Sequence, residues 1–442
     1  MGIKNFWSNL NDKFPDITNN IKPKNVFYLC IDCNFILHKI CNKVKDNYSF
    51  KKQLIKALNK LVYTIKPKFI AIFLDGQAIL AKAFTQIKRR DKYLYNKSKG
   101  ISPLNLTPGT PFMDFVDEII TEYLSQLKVD TYYSSSKENN EGELKLFNWL
   151  KNTDDKKNSV IVGNDSDLII LALAYRPLLN IYIYNYENYL SLFKLIKNLS
   201  SLVTKNFDYK WHPVRLDFVL LSFFQGNDYN YRICNFNNLF FSYNQLQKQK
   251  KEFLIKKNGE INLLNLKYIL SNIKIKDFNI YSKNDVDNYF KSIKWNLNLY
   301  QNKINTKYIP EYKNININSI LKFYPTSIDN IVENINWLNK SVYLLLLMPK
   351  TGKNLLPTEL QFFMEEQSPV KDLFPDPCLE CIKFKNQINS VEKPDENCSN
   401  LILNEYKIKI NKLNLEYSEH LNNNHKITKL PIKRLEELFS IE

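Results

Sequence analysis

The chain has 442 residues, of which 44% are hydrophobic and 14% aromatic, and it contains 9 Gly and 17 Pro. These values exclude a disulfide-stapled peptide, a collagen-like repeat and a low-complexity polymer, and they predict a folded protein long enough for two domains. Lys and Arg number 62 against 45 Asp and Glu, so the formal net charge is +17 at pH 7. Such an excess favours a polyanionic partner, nucleic acid first and an anionic membrane second.

The cysteines and the apolar runs predict an intracellular, cytoplasmic protein that makes no membrane interaction. The seven cysteines show no regular spacing, which indicates reduced thiols. The opening MGIKNFWSNL has no charged region followed by an apolar one, so we expect no secretion signal. The longest apolar runs are far shorter than the ~20 residues that a membrane span needs.

Three short apolar segments share one design, in which each ends at an aspartate. They are Val26–Asp32, Phe69–Asp75 and Ser159–Asp165. Apolar runs without alternation predict strands buried on both faces, as in a parallel sheet covered by helices. Helical patterns separate these strands, at 51–65 and at 111–127, where Thr110 is a candidate N-cap. The alternation predicts an α/β domain with a mostly parallel central sheet flanked by helices.

Further acids follow the same segments. Because the carboxyl ends of parallel strands meet at one edge, we expect the three terminal aspartates in one crevice, although each alone is a common helix cap. Asp165 and Asp167 would project to the same side of an extended segment, and we place Glu141 and Glu143 at a loop-to-helix start. Another acid follows the apolar helix 218–224. The candidate catalytic and metal-binding set is Asp32, Asp75, Glu141, Glu143, Asp165, Asp167 and Asp228.

Seven carboxylates in one crevice repel one another unless a cation neutralises them. Oxygen ligands suit Mg²⁺ or Mn²⁺ better than zinc. Two such ions can activate a water molecule and stabilise both the attacking and the leaving oxygens of a phosphodiester. The set therefore predicts two divalent ions and phosphodiester hydrolysis.

The histidines and cysteines give no competing metal pattern. Cys378 and Cys381 have two residues between them, but the only later cysteine is Cys398. None of the four histidines lies at zinc-like spacing from a cysteine pair, so we do not expect a zinc site. A Ser-His-Asp pattern and a glycine-rich phosphate loop are also not evident.

A basic stripe is predicted on the helix that follows Asp75. Lys82, Gln86, Arg89 and Arg90 are spaced i, i+4, i+7 and i+8, which places them on one helix face. Charges on a helix are most often only solvated surface. Because this stripe follows the predicted strand that ends at Asp75, we predict that it binds the substrate phosphate next to the phosphate under attack.

In their order along residues 1–232, these motifs resemble the XRN-type 5′→3′ exoribonuclease family, as a short, divergent member. The matching segments are Met1-Gly2-Ile3 with Phe6, Asp32–His38, Asp75-Gly76, the basic stripe, Thr107–Met113, Glu141–Lys145, Asp165–Ile169 and Gly226–Asp228. The resemblance implies a PIN/flap-nuclease-like core in which the seven carboxylates bind two Mg²⁺ ions. It also implies that the basic stripe recognises a 5′-monophosphate and that His38 stacks on the leading base.

The implied activity is 5′→3′ degradation of 5′-monophosphorylated single-stranded RNA to mononucleotides, in RNA decay. Stacking contributes ~1–3 kcal/mol per base without sequence preference, which suits such a substrate. Two alternatives stay open. One is a structure-specific flap-type DNA endonuclease or 5′ exonuclease, and the other is a non-catalytic RNA-binding protein derived from a nuclease.

The sequence departs from the family pattern at several positions. Asn139-Asn140 replaces the usual Pro-Gly before the acidic motif, and Leu144 stands where His is customary. The family's Trp- and Tyr-rich base-stacking motif is not recognisable after residue 232. Trp295 and Trp337 are typical of core residues, so neither is assigned a stacking role.

The Asn/Lys-rich stretch 244–261 is predicted as a linker or exposed basic insertion. It separates an α/β nuclease domain over 1–245 from a mostly helical second half over 246–442 that packs on it. We expect a monomer. The compact length and the AT-rich codon bias implied by Asn, Lys and Ile would suit a viral member that acts in a host cytoplasm.

Overall fold

The computed structural model describes residues 3, 5–91, 100–153, 156–175, 180–202, 213–250, 252–273, 279–311, 315–392, 394, 400–424 and 430–439. Met1, Gly2 and Cys398 lie outside these ranges. The chain forms two compact units, each built from separate segments. The first unit comprises Met1–Ile40, Lys51–Lys82 and Asp117–Trp337, and the second comprises Cys41–Phe50, Ala83–Val116 and Leu338–Glu442. The domain boundary at residue 245 stays a prediction.

The described strands form one seven-stranded sheet in the first unit. They are β1 (Thr18–Asn19), β2 (Val26–Asp32), β3 (Phe69–Phe73), β4 (Asp130–Ser134), β5 (Asn158–Val162), β6 (Ile181–Tyr184) and β7 (Tyr189–Ser191). Their order is β1-β7-β6-β5-β2-β3-β4. The pairs from β6 to β4 are parallel, while β7 runs antiparallel to both β6 and β1. The predicted mostly parallel sheet is therefore confirmed.

The strand order reverses beside β2. The chain passes from β2 to β3 and β4 on one side, and later places β5 and β6 on the other side. Leu29, Cys30 and Ile31 of β2 are fully buried, as expected for a central strand covered on both faces. Open parallel sheets bind ligands at the carboxyl ends of their strands, at such a switch point.

Helices account for most of the remaining described structure. They are α1 (Phe6–Lys13), α2 (Asn34–Cys41), α3 (Asn47–Ile65), α4 (Leu80–Asp91), α5 (Pro111–Ser125), α6 (Gly142–Leu150), α7 (Asp167–Ala174), α8 (Leu192–Ser201), α9 (Val214–Phe223), α10 (Phe236–Lys250), α11 (Leu263–Ser271), α12 (Lys283–Tyr300), α13 (Ile317–Lys322), α14 (Lys340–Leu347), α15 (Thr358–Gln361), α16 (Leu379–Ser390), α17 (Asn400–Asn424) and α18 (Ile432–Glu437). Both helices predicted between the first strands are confirmed, and the Met113 N–H donates to Thr110 Oγ1 at 3.4 Å. In the described part of the chain, no helix has the length and apolar character needed to cross a membrane.

Two helices of the first unit are buried along their whole described length or nearly so. All eight residues of α7 are buried, and α9 is buried from Asp217 to Phe223. A helix that is apolar on every side belongs to a core. These two helices therefore anchor the loops at their ends, where Asp167 and Asp228 lie.

Much of the stretch 244–261, predicted as a linker or exposed basic insertion, has regular structure, although Lys248, Gln249 and Lys250 are exposed. The α10 helix continues to Lys250, and an isolated bridge between Ile255 and Ile261 closes the turn that follows. The N–H groups of Leu254 and Ile255 donate to the buried carboxylate of Asp217, at 2.9 and 2.8 Å. The segment is ordered because a buried acceptor, distant in sequence, holds its backbone. Apart from isolated bridges, the described residues after 245 form helices and loops, which confirms the mostly helical second half.

Candidate metal centre at the carboxyl edge of the sheet

Three parallel neighbouring strands bring the first three acids to one edge. Asp32 is the last residue of β2, while Asp75 follows the end of β3 and Asp165 follows the end of β5. The Gly142 N–H donates to Asp75 Oδ1 at 2.7 Å. A Cβ atom added at Gly142 would lie 3.3 Å from Oδ1 of both Asp32 and Asp75. These two carboxylates therefore converge on the first residue of α6.

The start of α6 carries the next pair of acids. Glu141 is the N-cap residue and Glu143 lies in the first turn, so the predicted loop-to-helix placement is confirmed. Both carboxylates lie near a helix N-terminus, where the peptide dipoles favour negative charge. The Tyr229 O–H donates to Glu141 Oε2 at 3.1 Å, which fixes the orientation of that carboxylate.

The loop before Glu141 keeps a glycine-like shape although it lacks the glycine. Asn140 has φ +95°, a region that favours Gly and tolerates Asn best among other residues. Its backbone N–H donates to the Gln77 carbonyl at 2.7 Å, and its carbonyl accepts the Gly76 N–H at 2.9 Å. The Asn for Gly replacement therefore preserves the pairing of the two loops that carry Asp75 and Glu141.

The segment from Asp165 to Asp167 is not extended as predicted. Ser166 has helical angles, φ −65° and ψ −23°, and α7 begins at Asp167. The Asp167 N–H donates to Asp165 Oδ1 at 3.1 Å. This local hydrogen bond, typical of Asp before a helix, turns the chain one residue after Asp165.

Lys82 is a buried cation among the acids. Its Nζ lies 2.5 Å from Glu141 Oε1 and 2.7 Å from Asp228 Oδ2. Burial lowers the pKa of Lys82, but the charges of Asp228 and Glu141 outweigh it and raise that pKa well above its usual value. Lys82 is therefore a permanent positive charge that partly neutralises the carboxylates.

Two carboxylate oxygens of the candidate set receive no hydrogen bond from the described residues. Oδ1 of Asp32 and Oδ1 of Asp167 are buried, and the described residues offer neither of them a donor. Burial, then the charge of Asp75, raises the pKa of Asp32 to about 8. Burial, then the charges of Asp165 and Asp228, raises the pKa of Asp167 to about 8. Buried, unpartnered carboxylate oxygens are the donor set that suits Mg²⁺ or Mn²⁺.

The seven candidate acids all lie in the first unit, and each acts electrostatically on at least one other. Burial, then the charges of Asp167 and Asp165, raises the pKa of Glu143 well above its usual value. The carboxylates still stand apart, since among the described residues no three of them place oxygens all within 4.8 Å of one another. Repulsion between like charges, with Lys82 Nζ between Glu141 and Asp228, accounts for that spacing.

Three members of the basic stripe belong to the second unit. Gln86, Arg89 and Arg90 are half-buried on α4. The Tyr343 O–H donates to Gln86 Oε1 at 2.7 Å. Nε and Nη2 of Arg90 donate to Thr107 Oγ1 at 3.3 and 3.2 Å. Two members of the stripe are thus held by neighbouring side chains rather than spread over solvent, and no sequence pattern indicated the contact with Tyr343.

The aromatic residues separate into core and site residues. Trp295 is 1% exposed and packs edge-on against Tyr229, with ring centroids 5.1 Å apart, so its assignment to the core is confirmed. Tyr229 was missed, although it directly follows Asp228, and its ring also lies 5.6 Å from Lys82 Nζ. His38 is exposed in the last turn of α2.

Two comparisons of sequence match this chain to nucleases. Residues 1–184 match the family described as the XRN 5'-3' exonuclease N-terminus. Over 357 residues the chain is 24% identical to 5'-3' exoribonuclease 1 of Saccharomyces cerevisiae. The alignment covers 65% of this chain and 23% of the yeast protein. The chain therefore spans about a quarter of the length of this curated relative.

Solved structures with some likeness are also nucleic-acid complexes. The catalytic core of Rad2 with DNA substrate has a TM-score of 0.37 at 15% identity and covers 72% of this chain and 92% of its own. A flap endonuclease of bacteriophage T5, in a complex with DNA and metal ions, has a TM-score of 0.30 at 11% identity. This match covers 55% of this chain and 87% of the endonuclease chain.

Proposed function

The chain belongs to the XRN-type 5′→3′ exoribonuclease family, and from this premise we propose that it degrades single-stranded RNA from a 5′-monophosphate end, releasing mononucleotides. The reaction is phosphodiester hydrolysis that depends on two divalent ions, and the setting is RNA decay in the cytoplasm. The observation that carries the proposal is the set of buried and half-buried carboxylates at the sheet edge, in which Asp32 and Asp167 each keep a buried oxygen without a donor among the described residues.

The seven acids would hold the metal ions. When bound, two Mg²⁺ or Mn²⁺ ions supply an activated water molecule and stabilise the oxygens of the phosphodiester under attack. The unpartnered oxygens of Asp32 and Asp167 can serve as ligands without loss of a protein hydrogen bond. Asp75 and Glu141 are oriented in advance by the Gly142 N–H and the Tyr229 O–H. Such fixed ligands avoid the cost of reorganisation at the site.

The basic stripe is proposed to bind the 5′-monophosphate. Arg89 and Arg90 can donate paired N–H groups to phosphate oxygens, and Gln86 adds an amide donor. The Tyr343 and Thr107 contacts restrain Gln86 and Arg90, which lowers the entropy lost on binding. Lys82, the first residue of the stripe, belongs to the first unit, where its Nζ balances the charges of Glu141 and Asp228.

His38 is proposed to stack on the first base. An imidazole face stacks on any base, so this contact would bind RNA without regard to sequence. His38 is exposed in the last turn of α2, where a base can reach its ring.

The decisive assay compares nucleic acids with different 5′ ends, each with and without Mg²⁺. The purified full chain is incubated with single-stranded RNA bearing 5′-monophosphate, 5′-hydroxyl or 5′-triphosphate, and with flap DNA, each with and without Mg²⁺. We expect mononucleotides only from the 5′-monophosphate RNA and only with Mg²⁺. Cleavage at flap junctions would instead indicate a structure-specific DNA nuclease, and RNA retention without products a non-catalytic RNA-binding protein.

A matched pair of arginine variants tests whether the basic stripe binds the 5′-monophosphate. Arg89→Ala should lower the preference for 5′-monophosphate over 5′-hydroxyl ends by roughly tenfold to hundredfold, because a hydrogen bond to a charged group is lost. Arg434→Ala, which removes an exposed arginine bound to Asp372 at 2.7 and 2.9 Å, should leave the preference unchanged. Equal rates on both ends in the parent protein would overturn the phosphate assignment.

A further inference from the structure

A second cluster of metal-ligand side chains lies in the helical pair α16 and α17. Cys378 is the N-cap residue of α16, Cys381 lies in its first turn, and His420 lies near the end of α17. Their donor atoms all lie within 4.8 Å of one another, and no other described group of three such residues meets that condition. Cys378 Sγ lies 3.4 Å from His420 Nε2.

That distance fits two ligands of one zinc ion. Zinc bonds of about 2.3 Å to sulfur and about 2.0–2.1 Å to nitrogen, at tetrahedral angles, would separate the two donor atoms by about 3.6 Å. Cys381 is fully buried, so its sulfur faces the interior of the pair rather than solvent. The Cys378–Cys381 spacing, with both residues at a helix start, is also typical of zinc ligands.

The histidine is oriented for metal binding by an independent contact. His420 Nδ1 lies 3.3 Å from a carboxylate oxygen of Glu380. With the proton on Nδ1 shared with that carboxylate, Nε2 keeps its lone pair and directs it at the cysteine sulfur. Metal-binding histidines almost always place a carboxylate or carbonyl on the second ring nitrogen in this way.

The helical pair has little core of its own. None of the described side chains of α17 is buried, and Cys381 is the only buried residue of α16 among those the structure describes. The Phe384 ring packs against Tyr417 and His420, with centroids 5.8 and 5.7 Å apart. Small helical assemblies with so few apolar contacts are commonly stabilised by a metal or another cross-link.

We propose that Cys378, Cys381 and His420 bind one zinc ion that joins α16 to α17. Two thiolates neutralise the charge of Zn²⁺, and soft sulfur ligands select zinc over the Mg²⁺ that carboxylates favour. The sequence did not indicate this site because Cys378 and His420 are 42 positions apart, and only the antiparallel return of the chain brings them together. The site is structural and does not depend on the proposed nuclease function.

The first test measures bound metal. The full chain, expressed with zinc in the medium and dialysed into Mg²⁺ buffer, is analysed by elemental mass spectrometry. We expect one zinc ion per chain in the parent and a loss of that ion in Cys381→Ser and in His420→Ala. The matched control is Cys234→Ala, which alters a buried cysteine of the first unit and should retain the zinc.

Cobalt distinguishes this site from the carboxylates. The parent refilled with Co²⁺ should show the near-ultraviolet charge-transfer absorption of cobalt–thiolate bonds, which an all-oxygen site cannot give. Removal of zinc from the parent should also speed protease cleavage within α17 by about tenfold or more, since metal binding free energy here is folding free energy. These two measurements use the parent protein and hold even where a variant does not fold.

Either of two results would overturn the proposal. One is a parent chain that contains no zinc and gives no cobalt–thiolate absorption. The other is a folded His420→Ala variant that keeps zinc with the affinity of the parent.

Discussion

Asp217 and Asp167 are both fully buried carboxylates of the first unit, yet their surroundings differ. Asp217 accepts hydrogen bonds from the backbone N–H groups of Leu254 and Ile255 and from the O–H of Tyr243 at 2.8 Å. Asp167 Oδ1 is offered no donor by the described residues, and its neighbours include two further acids. The fold supplies three donors to Asp217, whereas Asp167 Oδ1 receives none from the described residues.

The difference shows how to tell a structural acid from a functional one. A buried charge without partners costs several kcal/mol, so a sequence keeps it only where another benefit offsets the cost. At the sheet edge the acids also repel one another, and only Lys82 opposes them within hydrogen-bonding distance among the described residues. Site acids should therefore be costly for stability and essential for activity, while Asp217 should show the reverse.

The largest effect should come from a site acid. Asp165→Ala should lower the rate of mononucleotide release by about 10³-fold or more, because several kcal/mol of transition-state stabilisation are lost. RNA affinity, measured by fluorescence anisotropy, should stay within about threefold of the parent, since phosphate contacts dominate it. The rate is measured in single-turnover reactions with saturating Mg²⁺.

The matched control for Asp165→Ala is Asp130→Ala, at an exposed position where β4 begins. It should leave both rate and affinity unchanged. Unfolding in Mg²⁺-free buffer sharpens the comparison, because Asp165→Ala should reduce the free energy of unfolding by only about 1 kcal/mol, through loss of the hydrogen bond from the Asp167 N–H. A loss of activity that merely follows a loss of folded protein would contradict the assignment.

The next largest effect should come from the satisfied acid. Asp217→Ala leaves three buried donors without an acceptor and should lower the free energy of unfolding by about 3 kcal/mol or more. The measurement is urea unfolding at neutral pH. Activity per folded molecule, corrected for the folded fraction, should equal that of the parent. A stable Asp217→Ala protein would show that these hydrogen bonds do not hold the 252–262 segment.

Asp217 should also leave a signature in pH. Burial raises the pKa of Asp217 to about 7, above its value of about 4 in the unfolded chain. The native state then holds a proton that the unfolded state has lost, so this contribution to stability is fully present below pH ~4 and is lost as pH rises to about 7. The Asp217→Ala protein should lack that decrease. If the free energy of unfolding depended on pH in the same way in both proteins, the assignment of this decrease to Asp217 would be wrong.

Gly142 tests whether geometry around the acids matters more than helix stability. Gly142→Ala would place Cβ 3.3 Å from oxygens of Asp32 and Asp75, tighter than ordinary contact. Helix propensity favours Ala over Gly by about 1 kcal/mol, so stability should not fall. We expect a decrease of roughly tenfold in rate, as for other small displacements of catalytic groups. Asn148→Ala, exposed on the same helix, should change neither quantity.

Features set by neighbouring residues were predictable from the sequence, and long-range polar contacts were not. Apolar runs that end in aspartate gave the central strands and the acids at their ends. The error at Asp165–Asp167 arose because a local hydrogen bond starts the helix early. The contacts of Asp217 with Ile255 and of Tyr343 with Gln86 join residues 38 and 257 positions apart, and no periodicity encodes such pairs.

The smallest effect concerns the loop that carries Glu141. Asn140 adopts φ +95° and its Oδ1 accepts the Glu141 N–H at 3.0 Å. Asn140→Gly and Asn140→Ala both remove that hydrogen bond, so their difference isolates backbone strain. Positive φ destabilises Ala by about 1–2 kcal/mol but does not destabilise Gly. The free energy of unfolding, measured in urea, should therefore be about 1 kcal/mol higher for Asn140→Gly than for Asn140→Ala. The rate of mononucleotide release should follow the same order, since the strained variant shifts Glu141. Equal stabilities would mean that the loop relaxes to negative φ, and the acids would then be less rigidly held than the comparison with Asp217 requires.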